Sequence, residues 1–169
     1  STLQLLEHPN QELRAYAAIT FGNLCSAGAL TPAQLQHPSV LPHLVAMLSS
    51  SSTQERAGGV QAVTQLLLAD AQGRVDPSIA DAATGETALI ALARFDHAAL
   101  VAVVLADERV DPNHRDGDGA GRKTALCCAA EGGFPRVAAL VLASPRCDPN
   151  LPDGDGNTPL IIAAGCGHT

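Results

Sequence analysis

This chain of 169 residues has almost no aromatic side chains: no Trp, one Tyr and three Phe, 2% in all. Large rings are the usual anchors of a single thick core, so a globule built around them is excluded. Concentrated positive charge is also missing. Ten Lys and Arg stand against 17 Asp and Glu, a formal net charge of −7. After residue 72 the balance is 8 − 13 = −5, and before it 2 − 4 = −2. Without a basic stripe, neither nucleic acid nor an anionic membrane surface is an expected partner. The longest apolar run, 98–106, is too short to span a bilayer.

Chemistry-bearing motifs are absent too. The chain has no Gly-x-Ser-x-Gly elbow, no phosphate loop and no Cys-x-x-Cys pair. His8, His37, His43, His97, His114 and His168 are scattered and form no His-x-x-x-His pair. The cysteines are Cys25, Cys127, Cys128, Cys147 and Cys166. An odd number with no visible signal peptide implies reduced thiols in an intracellular compartment, cytoplasmic or nuclear. Cys127 and Cys128 are adjacent on a predicted helix and point about 100° apart, so they read as buried small thiols and not as a metal pair. Asp116-Gly117-Asp118-Gly119 and Asp153-Gly154-Asp155-Gly156 invite a calcium reading. With Gly119 or Gly156 at the sixth loop position, His114 or Leu151 falls first and Ala125 or Ile162 twelfth, which fails the ligand pattern. These are turn-forming loops. No catalytic residue, cofactor or metal site is expected, and the chain does not read as an enzyme.

What the chain does have is repetition. Asp148-Pro149-Asn150 is echoed by Asp111-Pro112-Asn113 and Asp76-Pro77-Ser78. Thr158-Pro159-Leu160 is echoed by Thr124-Ala125-Leu126 and Thr87-Ala88-Leu89. The spacings are 158 − 124 = 34 and 124 − 87 = 37, which is the mark of a stacked array. Thr158 is a candidate N-cap, Pro159 sits where a first turn tolerates it, and Gly167 reads as a left-handed stop. A second helix follows Gly132-Gly133 with Val137, Leu140 and Val141 at i, i+3 and i+4. Its upstream counterpart is Leu100, Val103 and Val104.

Residues 75–169 resemble the ankyrin repeat: loop, helix, turn, helix. The pattern Asp-x-x-Gly-x-Thr-Pro-Leu followed by Ala-Ala-x-x-Gly-His is met best from Asp153 to His168. The family's histidine after Leu is replaced by Ile90, Cys127 and Ile161. That histidine braces the loops, so the resemblance implies loops held less firmly here. The glycine between helices becomes Asp96 in the first copy, and aspartate tolerates the left-handed region.

Residues 1–72 carry a different period. Leu6/Leu48, Arg14/Arg56, Ala15/Ala57 and Leu24/Leu66 are each 42 apart. The segment from Glu12 to Leu24 resembles the end of an armadillo repeat, and that from Val40 to Leu48 the start of the next. Thr31-Pro32 opens a short predicted helix, and 49–53 reads as an inter-helix loop. The helix over 60–69 reads as the seam between the two arrays, although it also fits the last helix of the second armadillo-like unit.

The expected architecture is thus all-α: an α-solenoid of helix-turn-helix repeats, armadillo-like over 1–72 and ankyrin-like over 73–169. Both ends read as interrupted, so a fragment of a longer array is expected. The expected function is a scaffold or adaptor that binds protein partners through loop tips and the concave face. Two alternatives stand: the substrate-recruiting segment of a larger enzyme such as a ligase or kinase, or an architectural block in a large assembly. The ankyrin resemblance implies partner contacts at the loop tips, Glu86, Arg122, Lys123, Asp155 and Asn157, and on the first helices, Arg94, Phe95 and Glu131. The middle loop is the longest, with 124 − 111 = 13, and adds Arg115 to the basic cluster. Phe95 has two readings, an exposed anchor or a core ring under the loop. Asn23 matches the asparagine with which armadillo proteins grip a peptide backbone, and it also suits helix packing. Leu160 is expected between units, where Leu160→Ala would cost about 2–5 kcal/mol.

Overall fold

A computed structural model describes residues 2–31, 40–48, 50–69, 76–81, 84–117 and 121–168. All regular structure among them is helical. The chain divides into two compact units, Ser1–Asp81 and Ala82–Thr169. The helix expected after Thr31-Pro32 and the side chain of Asp118 lie outside the described residues.

The first unit holds α1 (Thr2–Leu6), α2 (Gln11–Ser26), α3 (Val40–Leu48) and α4 (Thr53–Ala69). Asn10 starts α2: its side chain accepts from the N–H groups of Glu12 and Leu13 at 2.9 and 3.3 Å, satisfying donors that a helix start leaves open. Small residues let α2 and α4 lie close together. A Cβ placed on Gly58 would sit 2.9 Å from the Ala15 carbonyl oxygen. The buried residues between the helices include Ala18, Phe21, Leu44, Val45, Ala62, Val63 and Leu66, each fully excluded from solvent.

The period of 42 has a physical counterpart in this unit. Arg14 donates from Nη1 to the His8 carbonyl at 2.7 Å. Arg56 donates from Nη1 to the Ser50 carbonyl at 2.6 Å. Both guanidinium groups therefore reach six residues back, clasping the chain where it enters the helix. Arg14 also pairs with Glu55 at 2.5 Å, and Ser50 Oγ donates to the other oxygen of Glu55 at 2.5 Å. The Glu55 carboxylate is buried and held by both partners, as a buried charge requires.

The second unit holds α5 (Ala88–Arg94), α6 (Ala98–Leu105), α7 (Ala125–Gly132), α8 (Pro135–Ala143) and α9 (Pro159–Gly165). Helices α5, α7 and α9 pack as one row, and α6 and α8 as a second against it. Thr87, Thr124 and Thr158 each start a first-row helix in extended backbone. Each hydroxyl accepts from the N–H three residues on, in Ile90, Cys127 and Ile161. Asp96 has φ 58°, in the place Gly133 occupies at φ 66°, as the aspartate substitution led one to expect. Gly167 follows α9 at φ 78°.

Two sequence expectations need correction. Val103 does not face the core with Leu100 and Val104: it is 39% exposed, and Val101 is buried instead. With α5 on one side and α8 on the other, this short helix buries the i, i+1, i+4 face. Leu160 is 79% exposed and does not pack between helices, because α9 turns its Pro159 side inward. Leu66→Ala should therefore cost about 2–5 kcal/mol in urea unfolding, while Leu160→Ala should change stability by less than about 0.5 kcal/mol.

Candidate functional site

The loops of the second unit are tied to one another in series. Gly117 N–H donates to the Thr84 carbonyl at 2.8 Å, and Gly154 N–H to the Gly121 carbonyl at 2.9 Å. His114 Nε2 lies 2.9 Å from the Gly85 carbonyl. Arg115 donates from Nη2 to the carbonyl oxygens of Pro152 and Asp153. Cys127, which stands where the ankyrin pattern has its bracing histidine, makes weaker contacts: its thiol lies 3.9 Å from the Leu151 carbonyl and accepts from Thr124 Oγ1 at 3.3 Å. The loops are thus held by other groups. Arg115 serves this framework from a half-buried position.

Charges expected at the loop tips are largely consumed in internal pairs. Arg94 donates to Glu86 at 3.0 Å and to Asp116 at 2.9 Å. The Glu86 side chain is 4% exposed, so Glu86 is not a tip residue at the surface: its loop folds the carboxylate inward onto Arg94. Asp116 also accepts from the Lys123 N–H at 2.5 Å. Lys123 Nζ reaches both oxygens of Glu131 at 2.8 Å, and that hydrogen bond raises the ammonium above its ordinary range. Phe95 ends α5 as its half-buried C-cap, between the two readings its sequence allowed. Arg122 is exposed with φ 34°, an uncommon conformation for a residue with a side chain. In the first unit, exposed Asn23 accepts from Gln61 Nε2 at 3.3 Å.

Four of the expected residues do meet. Lys123, Glu131, Asp155 and Asn157 line a groove of about 340 Å³ with Asp153, Ile161, Ile162 and Cys166. The Lys123–Glu131 pair forms one wall and the 153–157 turn the other. Ile161, 54% exposed, supplies apolar surface between them. One carboxylate oxygen pins the turn. Asp153 Oδ1 accepts from the N–H groups of Asp155 and Asn157 at 3.0 and 2.8 Å. Burial pushes the Asp153 carboxyl up, but those backbone donors, Asn157 foremost, outweigh it and hold its pKa below the ordinary 3.8. Ile161 and Asp153 read in the sequence as repeat positions and not as groove residues. The exposed isoleucine follows Leu160 within an apolar run, and nothing in that run separates the inner from the outer face.

A second depression, about 600 Å³, is lined by Leu126, Phe134, Ala138, Leu142, Pro149 and Leu160 among others. Among the described residues, no three His, Cys, Asp or Glu side chains gather as a metal would need. No described helix is long and apolar enough to cross a membrane.

The loop-and-helix unit has a counterpart among known families. Residues 105–163 match the family model described as ankyrin repeats (many copies). This stretch is similar to ankyrin repeats. Such repeats are generally protein–protein interaction modules and are typically non-catalytic. In this stretch the loop from Asp111 to Thr124 carries Arg115, Asp116 and Lys123. No curated protein matches the chain.

Two outcomes are expected. Because the folded pKa of Asp153 is depressed, its contribution to stability is present above the unfolded carboxyl pKa and lost as pH falls through the folded value. Urea midpoints taken from about pH 6 to about pH 3 should therefore fall less for Asp153→Asn than for the parent chain. Burial pushes the Cys25 thiol up to about 11 and the Cys128 thiol up to about 12. Mass spectrometry after alkylation near neutral pH should find exposed Cys166 modified first, with Cys25 and Cys128 protected until unfolding.

Proposed function

We propose that this chain is a protein-binding scaffold whose ankyrin stretch takes its partner at the groove between the Lys123–Glu131 pair and the 153–157 turn. The observation that carries the reading is the meeting of Lys123, Glu131, Asp155 and Asn157 around half-exposed Ile161. A rigid turn, an apolar floor and a charged rim are the parts of a recognition surface. Glu86, Arg94 and Arg115 then act from behind, holding the loops in register, while Arg122 and Phe95 flank the contact. In this reading residues 1–72 are armadillo-like units, 73–169 ankyrin-like units, and the whole an α-solenoid working inside the cell, in cytoplasm or nucleus. Asn23 with Gln61 offers a further polar contact in the first unit. Partners are proteins and neither nucleic acid nor membrane. A recruiting segment of a larger ligase or kinase would use the same groove.

One observation favours a second reading. Leu142 and Leu160 stand 51% and 79% exposed beside the 600 Å³ depression, and exposed apolar patches mark contact surfaces. An architectural block in a large assembly would bury them permanently.

The test begins with a photo-crosslinking residue at position 155, which should capture the partner for identification. Titration with that partner should show Asp155→Lys and Ile161→Glu each weakening binding by roughly tenfold or more, about 1.4 kcal/mol. Arg136→Glu, on the exposed side of α8, should bind as the parent does. Equal affinities across all four proteins would remove the groove as the binding surface.

A further inference from the structure

The turn after α8 carries a group that neither the groove nor the loop framework uses. Ser144 ends α8 with φ −70° and ψ 122°, the extended backbone that a following proline, here Pro145, imposes. Leu142, Ala143, Pro145 and Arg146 around it are all exposed, and Ser144 itself is half-buried. Among the described residues its hydroxyl has no hydrogen-bond partner. Thr158, which also precedes a proline, differs: its hydroxyl accepts from Ile161 and Pro159 is buried.

Arg146 follows two residues later. Its Nη1 donates to the carbonyl oxygens of Glu108 and Val110 at 2.8 and 2.6 Å. Those acceptors lie in the turn after α6, one repeat upstream. Asn113 adds to the same staple: its Nδ2 donates to the Arg146 carbonyl at 2.8 Å, and its Oδ1 accepts from the Asp148 N–H at 2.8 Å. The upstream turn also holds the Asp107–Arg109 pair. Arg109 chiefly, and Arg146 in a smaller part, keep the Asp107 carboxyl below its ordinary range.

We propose that Ser144 is a phosphorylation site for a proline-directed protein kinase, and that the phosphate draws Arg146 off the upstream turn and opens the staple between neighbouring repeats. In the transfer, Ser144 Oγ attacks the γ-phosphorus of a nucleoside triphosphate. The bond to the leaving nucleoside diphosphate breaks with its electron pair, and the hydroxyl proton goes to the kinase's base. The product adds nearly two negative charges at neutral pH. They sit at the C-terminal end of α8, whose open carbonyls already carry partial negative charge. Arg146 is the cation two residues away. A phosphate offers it a full opposite charge and bidentate geometry where a carbonyl offers only a dipole, so the guanidinium turns from Glu108 and Val110 to the phosphate.

The folded chain is incubated with a purified proline-directed kinase and magnesium ATP, and the product is mapped by mass spectrometry. Phosphate is expected on Ser144 and absent from Ser144→Ala. The phosphorylated chain should melt about 2–4 °C lower and exchange amide hydrogens faster over 106–113 and 144–150. Arg146→Met already lacks both carbonyl bonds and the cation, so phosphorylation should shift its melting much less. If the folded chain refuses phosphate while a synthetic peptide of residues 138–150 accepts it, the site is closed and the proposal fails. It fails equally if Arg146→Met loses as much on phosphorylation as the parent does. Neither readout involves the groove or its partner.

Discussion

The second unit depends on hydrogen bonds that pass from each loop to the next. The first-row helices are only seven or eight residues long, too short to be stable alone in water. Their termini are fixed by threonine caps, and the loops between them by backbone partners one repeat away: Gly117 on Thr84, Gly154 on Gly121, and Arg115 on Pro152 and Asp153. A loop would otherwise leave polar groups open near the core, where each unmade bond is expensive. Meeting them from a neighbour makes every unit a requirement for the next.

The groove inherits its order from that framework. Asp116 is held by Arg94 on one side and accepts from the Lys123 backbone on the other. Lys123 in turn is held by Glu131. A chain of alternating charges therefore runs from buried Glu86 to the exposed rim. Its inner end at Glu86 is withdrawn from solvent, and its outer end lines the groove. Preorganisation of this kind lowers the entropy lost on binding.

Much of this was legible in the residues. Thr87, Thr124 and Thr158 announced their helices because a threonine cap is a local device with few alternatives. Asp96 was readable for a similar reason, since few side chains tolerate the left-handed region it occupies. The 42-residue period was legible as spacing, while its meaning, the clasp of Arg14 and Arg56 on a carbonyl six residues back, was not. Directions of side chains were the weak point. A loop residue such as Glu86 points inward or outward according to partners distant in sequence. Short helices flanked by two neighbours blur their apolar face, which is how Val101 and Val103 exchanged places. Leu160 belonged to an apolar run whose packing partners no local pattern could specify. The armadillo-like reading of the first unit rests on its period and has no counterpart in the family match, which begins at residue 105.

Sequence separation between the joined loops has a kinetic meaning. His114 meets Gly85 across 29 positions and Arg115 meets Asp153 across 38, so each closure spans about one repeat and none spans the unit. Closing such loops costs little chain entropy, and topologies rich in near-neighbour contacts fold fast. Order should start at any adjacent pair and spread to the rest, and disassembly should peel from a terminus inward.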